Sequence, residues 1–298
     1  MADKPSRALI LYGDGLMRLV GSSHAHLHSL ASRAVCGFMS LPNAPSSETE
    51  DNRILREFAE LLDASESGLS SVQEAHTIPA RFMGMKAALV TGNVELQTLG
   101  SKLGLSIVQN VDGLPADTVA LELLKLLGFQ DGKTLENSQY DMVLVHVGEN
   151  ACGGGDMKKL PSDLDFVNSL VGNVMEIAHP GSEIGSRLHF SVVMCYGEVS
   201  GTDVSCTSIL GDEYKNSGLA AVIPRQSYTM KGGHPRENVR HHAPMLVAQV
   251  QDGVTRKDMA NAFTFENFKD HGANLTIPVD RLLHEVAFKL WKAPKYGA

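Results

Sequence analysis

Short apolar runs alternate along the chain with stretches in which apolar residues recur every three or four positions. Arg7 to Tyr12 is a continuous, largely apolar run that ends in Gly13-Asp14-Gly15. That is the pattern of a strand buried on both faces, followed by a tight turn. Leu27, Leu30, Ala31, Ala34 and Val35 fall on one helical face, after which Val35 to Leu41 reads as a strand. Glu50 to Leu62 predicts a helix carrying Ile54, Phe58, Leu61 and Leu62. The alternation continues with a strand over Met85 to Val90, a helix over Val94 to Leu103 and a strand over Leu105 to Gln109. Pro115, a good first-turn residue, opens a helix over Ala116 to Leu127. Tyr140 to Val147 is the clearest strand, followed by a helix over Asp163 to Ile177 and a strand over Leu188 to Cys195. Ala220 to Ile223 and Met245 to Val250 are shorter strand candidates, and Asp280 to Trp291 closes the chain as a helix.

This order predicts an α/β fold, a mostly parallel sheet with helices on both faces. Ligands of such sheets bind beyond the carboxyl ends of the strands. The loops to search are therefore Gly13-Asp14-Gly15, Gly148 to Asp156 and Tyr196 to Ser200. With no repeat and no linker, the reading is one domain over residues 1–298, with flexible loops at Pro42 to Ser47, Ser65 to Ser71 and Ser200 to Ser217.

Composition narrows the class. At 43% hydrophobic and 20% charged, the 298 residues can bury a sizeable core. Lys+Arg is 26 and Asp+Glu is 34, a formal charge of −8 with no basic block, which argues against nucleic-acid or anionic-membrane partners. The apolar runs are too short to span a bilayer, and no signal peptide is visible at Met1-Ala2-Asp3-Lys4. Cys36, Cys152, Cys195 and Cys206 have no paired spacing, so the expected location is the reducing cytoplasm.

Several residues invite chemistry, each beside a plainer reading. Asp14 between glycines is placed to reach a ligand or a metal, with Gly13 and Gly15 giving close backbone approach; the alternative is a turn Asp bonding its own backbone. As a loop residue at a sheet end it is expected to matter more for function than for folding. Ser47 with Glu50 is either a helix capping box or a nucleophile at a helix N-terminus, whose dipole favours a phosphoryl group. His24, His26 and His28 suggest a metal, against capping or interfacial roles on a helix, and His241-His242 is similarly open. Gly148 to Asp156, with Glu149, Gly153 and Gly154, is an anion cradle or a surface loop; Cys152 in it has no neighbouring base.

Taken in order, these motifs resemble a known family. Leu9 to Gly15, then His24 to Arg33 with Cys36-Gly37-Phe38, then Ser47, resembles the opening of the alkaline-phosphatase superfamily, and within it the archaeal-type cofactor-independent phosphoglycerate mutases. Gly84 to Val90, the Gly104 region, Tyr140 to Val147, Thr255 to Phe265, Gly272 to Leu275 and Asp280 to Leu283 extend the resemblance through most of the chain. It implies an alkaline-phosphatase-like core, two metals held by Asp and His, and a Ser or Thr nucleophile, with Asp14 on the first ligand position and Ser47 (less well, Ser46) on the nucleophile. Beyond these the pattern departs. An Asp-Glu-x-Gly-His-type element is replaced by Glu149-Asn150-Ala151-Cys152-Gly153-Gly154, and an Asp-His pair by Cys195-Tyr196-Gly197-Glu198. His234, His241 or His242 could supply the last ligand, and Glu149, Glu198 or Asp156 a substitute carboxylate. The segment between Ser47 and Gly84 is short, so the family's inserted cap domain is expected to be largely missing.

The expectation is a degenerate relative that binds a small, anionic molecule. It would be a pseudoenzyme, or an enzyme redirected to metal-independent acid/base chemistry with Asp14, Ser47, His241 and His242 at its centre. Gly13, Gly15, Glu149, Gly153, Gly154 and Glu198 would bind, and Asp14 is the one expected ligand retained for a divalent metal. The rivals are a metal-dependent phosphohydrolase with rearranged ligands and an interaction protein whose cleft is filled by side chains.

Overall fold

The computed structural model describes residues 6–45, 47–64, 77–109, 114–148, 160–197, 229–231, 233–240, 242–272 and 276–293. Its centre is β1 (Arg7–Asp14), every residue of which is buried. Successive side chains of a strand point to opposite faces. Leu9 and Leu11 accordingly pack into one apolar layer, and Ala8, Ile10 and Tyr12 into the other.

β1 lies between β7 (Met142–Gly148) and β8 (Leu188–Met194) in an eight-stranded sheet of order β12-β2-β11-β8-β1-β7-β3-β4. The others are β2 (Val35–Ser40), β3 (Ala87–Val90), β4 (Ser106–Val108), β11 (Met245–Val250) and β12 (Thr276–Pro278). All run parallel except β11, which is antiparallel to both β2 and β8. Two small hairpins stand apart, β5 (Phe129–Gln130) with β6 (Lys133–Thr134) and β9 (Met230–Lys231) with β10 (His234–Pro235).

Helices cover both faces. On one side α1 (Ala25–Arg33), α5 (Ala116–Leu126), α6 (Leu160–Ile177) and α8 (Phe265–His271) bury Leu27, Leu123, Val167 and Phe268 against the sheet. On the other, α2 (Glu50–Leu61), α3 (Ile78–Arg81), α4 (Val94–Lys102) and α9 (Leu282–Lys289) contribute Phe58, Ile78, Leu96 and Val286. The short α7 (Glu183–Arg187) leads into β8. This is the expected α/β architecture. It adds the short helices α3, α7 and α8, β12 and the hairpins to the elements read from the sequence. The last helix begins only after a 3-10 turn over Val279–Arg281. The strand read at Ala220 to Ile223 lies outside the described residues. No helix among the described residues is long and apolar enough to cross a membrane.

Candidate functional site

The carboxyl ends of β7, β1 and β8 meet in register. Tyr12 pairs with His146, Asp14 with Gly148 and Gly13 with Met194. Alternation along each strand then puts Tyr12, Asp14, His146 and Cys195 on the face covered by α2. The backbones are closely set here: a Cβ on Gly13 would meet Leu16 at 3.2 Å and Met194 at 3.3 Å, and one on Gly148 would collide with the Asp14 carbonyl oxygen. Gly15 takes φ +71°, a conformation that suits glycine.

α2 supplies the other half. Its N-cap is Thr49, whose Oγ1 accepts from the Asn52 N–H. The N-cap read at Ser47 is thus displaced by two residues: Thr49 is also a favoured cap, and Ser47 stays exposed upstream of the helix. One turn into α2, the Arg53 guanidinium reaches the sheet. Its Nη1 and Nη2 donate to Asp14 Oδ1 and Oδ2 at 2.9 and 3.0 Å, a bidentate pair with Asp14 fully buried. Nη1 also donates to Glu57 at 3.0 Å, and Nε and Nη2 to Glu50 at 2.8 and 2.5 Å. The other oxygen of Glu57 faces Arg240 at 3.3 Å and Arg56 at 3.7 Å, and Arg56 is forked onto Glu48.

Around Asp14, the Cys195 thiol donates to Oδ1 at 2.9 Å and the Tyr12 hydroxyl approaches the same oxygen at 3.4 Å. The Gly15 N–H points at the Cys195 sulfur. His146 Nε2 sits 3.8 Å from Oδ2 without a hydrogen-bond partner, while its Nδ1 meets Thr91 Oγ1 at 3.0 Å. Burial by itself would raise the Asp14 pKa. The charge and hydrogen bonds of Arg53, with His146, outweigh it and hold the carboxyl well below its ordinary range. Burial pushes the Cys195 thiol well up, and the Asp14 and Glu57 charges push it further, so the sulfur keeps its proton. Burial also raises Glu57, partly offset by Arg53 and Arg240.

Asp14, Glu57 and Cys195 bring one donor atom each within 4.8 Å of one another, a spacing that could suit a metal. The chemistry of the set does not fit one. Both oxygens of Asp14 and both of Glu57 already face guanidinium nitrogens. The Cys195 thiol donates its proton to Asp14 Oδ1, so a metal would have to displace that hydrogen bond as well. A divalent ion would also sit against the Arg53 and Arg240 charges. Among the described residues, the Asp14 carboxylate is neutralised by arginine.

The other predicted positions divide. Gly13, Gly15, Tyr196 and Gly197 gather at Asp14, with Arg18 Nε bonded to the Tyr196 carbonyl at 2.7 Å. Asp14 itself is the last residue of β1, fully buried, rather than part of a solvent-facing turn. Ser47 is exposed and makes no side-chain hydrogen bond to the Asp14 network among the described residues. His242 is half-buried ahead of β11, while Ser46, Glu149, Cys152, Gly153, Gly154, Asp156, Glu198 and His241 lie outside the described residues. The histidines of α1 serve packing and turns: His24 and His28 both bond Gly21, His28 also accepts from the Phe263 N–H, and the exposed His26 lies over Gly172.

Arg53, Glu57, His146 and Arg240 carry no expectation from the sequence, and Cys195 figures there only as the start of the segment that replaces an Asp-His pair. A signal existed for two of them. Glu50, Arg53, Ile54, Glu57, Phe58 and Leu61 form a single stripe at helical spacing, so charges lie inside the apolar face.

No protein-family model matches the chain, and no curated protein matches it in sequence. Solved structures do. The PH0037 protein of Pyrococcus horikoshii superposes with a TM-score of 0.53 at 12% identity, over 99% of this chain and 99% of that one. A protein in the alkaline phosphatase superfamily from Vibrio parahaemolyticus gives 0.50 at 11%, over 97% of this chain and 67% of that one. The cofactor-independent phosphoglycerate mutase from Thermoplasma acidophilum gives 0.49 at 11%, over 95% and 99%. At such identities the likeness is one of fold, an α/β architecture shared with the protein in the alkaline phosphatase superfamily from Vibrio parahaemolyticus.

Proposed function

We propose that this chain is a metal-free relative on a phosphoryl-transfer fold, a binding protein rather than a working mutase. The observation that carries the reading is the buried bidentate pair of Arg53 with Asp14. Two-metal phosphoryl transfer needs carboxylates free to clamp cations against the attacking and leaving oxygens. Here the carboxylate in the first ligand position is turned over to a guanidinium that Glu50 and Glu57 hold in place. Ser47, in the nucleophile position, is exposed, whereas Asp14 is fully buried. The short stretch between Ser47 and Gly84 supports the same reading, since it leaves little chain for a domain that closes over a substrate.

Metal analysis of the purified chain, paired with turnover of aryl phosphate mono- and diesters with and without Mn²⁺, Zn²⁺ or Mg²⁺, tests it. The expected result is metal well below one per chain, no metal-stimulated hydrolysis and a melting temperature unmoved by EDTA. A metal bound only by the folded state would stabilise it by about 2.7 kcal/mol at a hundredfold excess over Kd. Two tightly held metals with metal-dependent hydrolysis would overturn the proposal in favour of a phosphohydrolase.

A further inference from the structure

One turn beyond Glu57, the next acidic residue of α2, Glu60, faces away from the Asp14 network into a separate cavity of about 330 Å³. The floor is the end of β2 with Leu41 and Pro42, together with Pro278 of β12, and the far wall is the β9–β10 hairpin and the segment up to Val239. That segment is fixed to the strand end, since Asn43 N–H bonds the Asn238 carbonyl and Arg240 N–H the Leu41 carbonyl. The volume is at the lower end of small-molecule pockets.

The charges lining the cavity are not balanced. Both cations are already engaged: Lys231 donates to Asp280 at 2.6 Å and to Asp63 at 3.1 Å, and Arg236 is forked onto Asp280 at 2.9 Å through both terminal nitrogens. Asp280 is thereby satisfied. The Glu60 carboxylate has neither a hydrogen bond nor an ion pair among the described residues, although it is half-buried. Burial raises its pKa, against the pull of Lys231. A half-buried carboxylate with no donor, beside apolar walls of Leu41, Pro42, Val239 and Pro278, is an incomplete arrangement. A cationic donor completes it; an anion does not, because the charges of Lys231 and Arg236 are already paired with Asp63 and Asp280, even though Arg236 Nε has no hydrogen-bond partner.

We propose that this cavity binds a small molecule carrying a protonated amine, whose ammonium donates to Glu60 while a short apolar stem lies against Leu41, Val239 and Pro278. The sign is opposite to the anionic ligand expected from the sequence, and the site is independent of the Asp14 network. Charge-assisted hydrogen bonds of this kind are about twice as strong as neutral ones.

Calorimetric titration of the full chain with n-butylamine and putrescine tests this, with n-butanol as the uncharged match and inorganic phosphate as the charge-reversed probe. The amines are expected to bind with a Kd of about 1 mM or tighter, and butanol and phosphate not to bind. Glu60→Gln should weaken the amines at least about tenfold, and so should Val239→Phe, which fills the cavity and leaves every charge in place. Circular dichroism confirms that each variant is folded; should one not fold, the other decides. Absence of amine binding at about 10 mM, amine binding indifferent to both variants, or preference for phosphate would each overturn the proposal.

Discussion

Arg53 decides what the cleft can do because its planar guanidinium meets three carboxylates at once: Asp14, Glu50 and Glu57. Five donors in a rigid fork allow this, and a lysine, a compact point charge, would not. The pair is not a large source of net stability, since taking both charges out of water costs nearly what their attraction returns. Removing one partner alone is another matter. Arg53→Met leaves Asp14 and Glu57 buried with a cation missing, and is expected to destabilise the fold by about 3–5 kcal/mol in urea unfolding. Arg53→Met combined with Asp14→Leu should recover part of that loss, because neither charge is then stranded. Asp14→Asn should likewise lower stability, in contrast to the small effect expected of a turn residue. Ser47→Ala, at an exposed position outside the network, should stay within about 0.5 kcal/mol. An Arg53→Met variant as stable as the parent would show that the network does not hold Asp14.

At the scale of elements, α2 is the part that carries the site to the sheet, and its start is set by Thr49. Glu50 and Asp51 in the first turn suit the positive end of the helix dipole. Thr49→Ala removes the cap and should cost about 1 kcal/mol, read as a lowered urea midpoint with unchanged slope; no change would shift the start of α2 back toward Ser47. Ser47 with Glu50 and Thr49 with Asn52 are both acceptable local patterns, and only the position of Arg53 over Asp14 selects the second. Elsewhere the pattern of apolar positions was enough: β1, β2, β7, β8 and β11 are strands buried on both faces and read as continuous runs. β12 has three residues ending in Pro278, α8 has seven, and the hairpins have two residues per strand, too short for a period to show. Asp14, Gly13 and Gly15 were legible because they end the strongest early strand. His146 and Arg240 were not, because nothing local announces them, and Cys195 was marked only by its place at a strand end. They meet Asp14 and Glu57 through the register of β7, β1 and β8 and through the antiparallel return into β11.

For the whole molecule, the buried ionisable groups translate into a response to acid. His189 on β8 is fully buried and paired in register with Ala8, and burial, with Lys289, lowers its pKa to about 3. The unfolded chain takes up that proton near pH 6.5, so the unfolded state binds more protons between the two values. The contribution of a neutral His189 is therefore complete above about pH 6.5 and is lost at about 1.4 kcal/mol per pH unit as the pH falls toward 3. Asp63 acts later. Burial would raise it, but the hydrogen bond from His284 and the charges of Lys231 and Arg81 lower it to about 2. Its contribution is present above about pH 4 and disappears as the pH falls through 2. Asp14 follows the same sign. Glu57 and Glu60, whose pKa values are raised, oppose the trend, because the folded state takes up their protons first. Acid sensitivity should thus begin with the histidine, well above the carboxylate range. Urea unfolding of the parent and of His189→Gln at intervals from pH 7 to about 4.5 separates the contributions, since every other titrating group is shared by the two chains. The parent should lose stability steadily over this interval and the variant should lose less. Parallel curves would mean that His189 is protonated in the folded state as readily as in the unfolded one, and the early acid response would have to come from elsewhere.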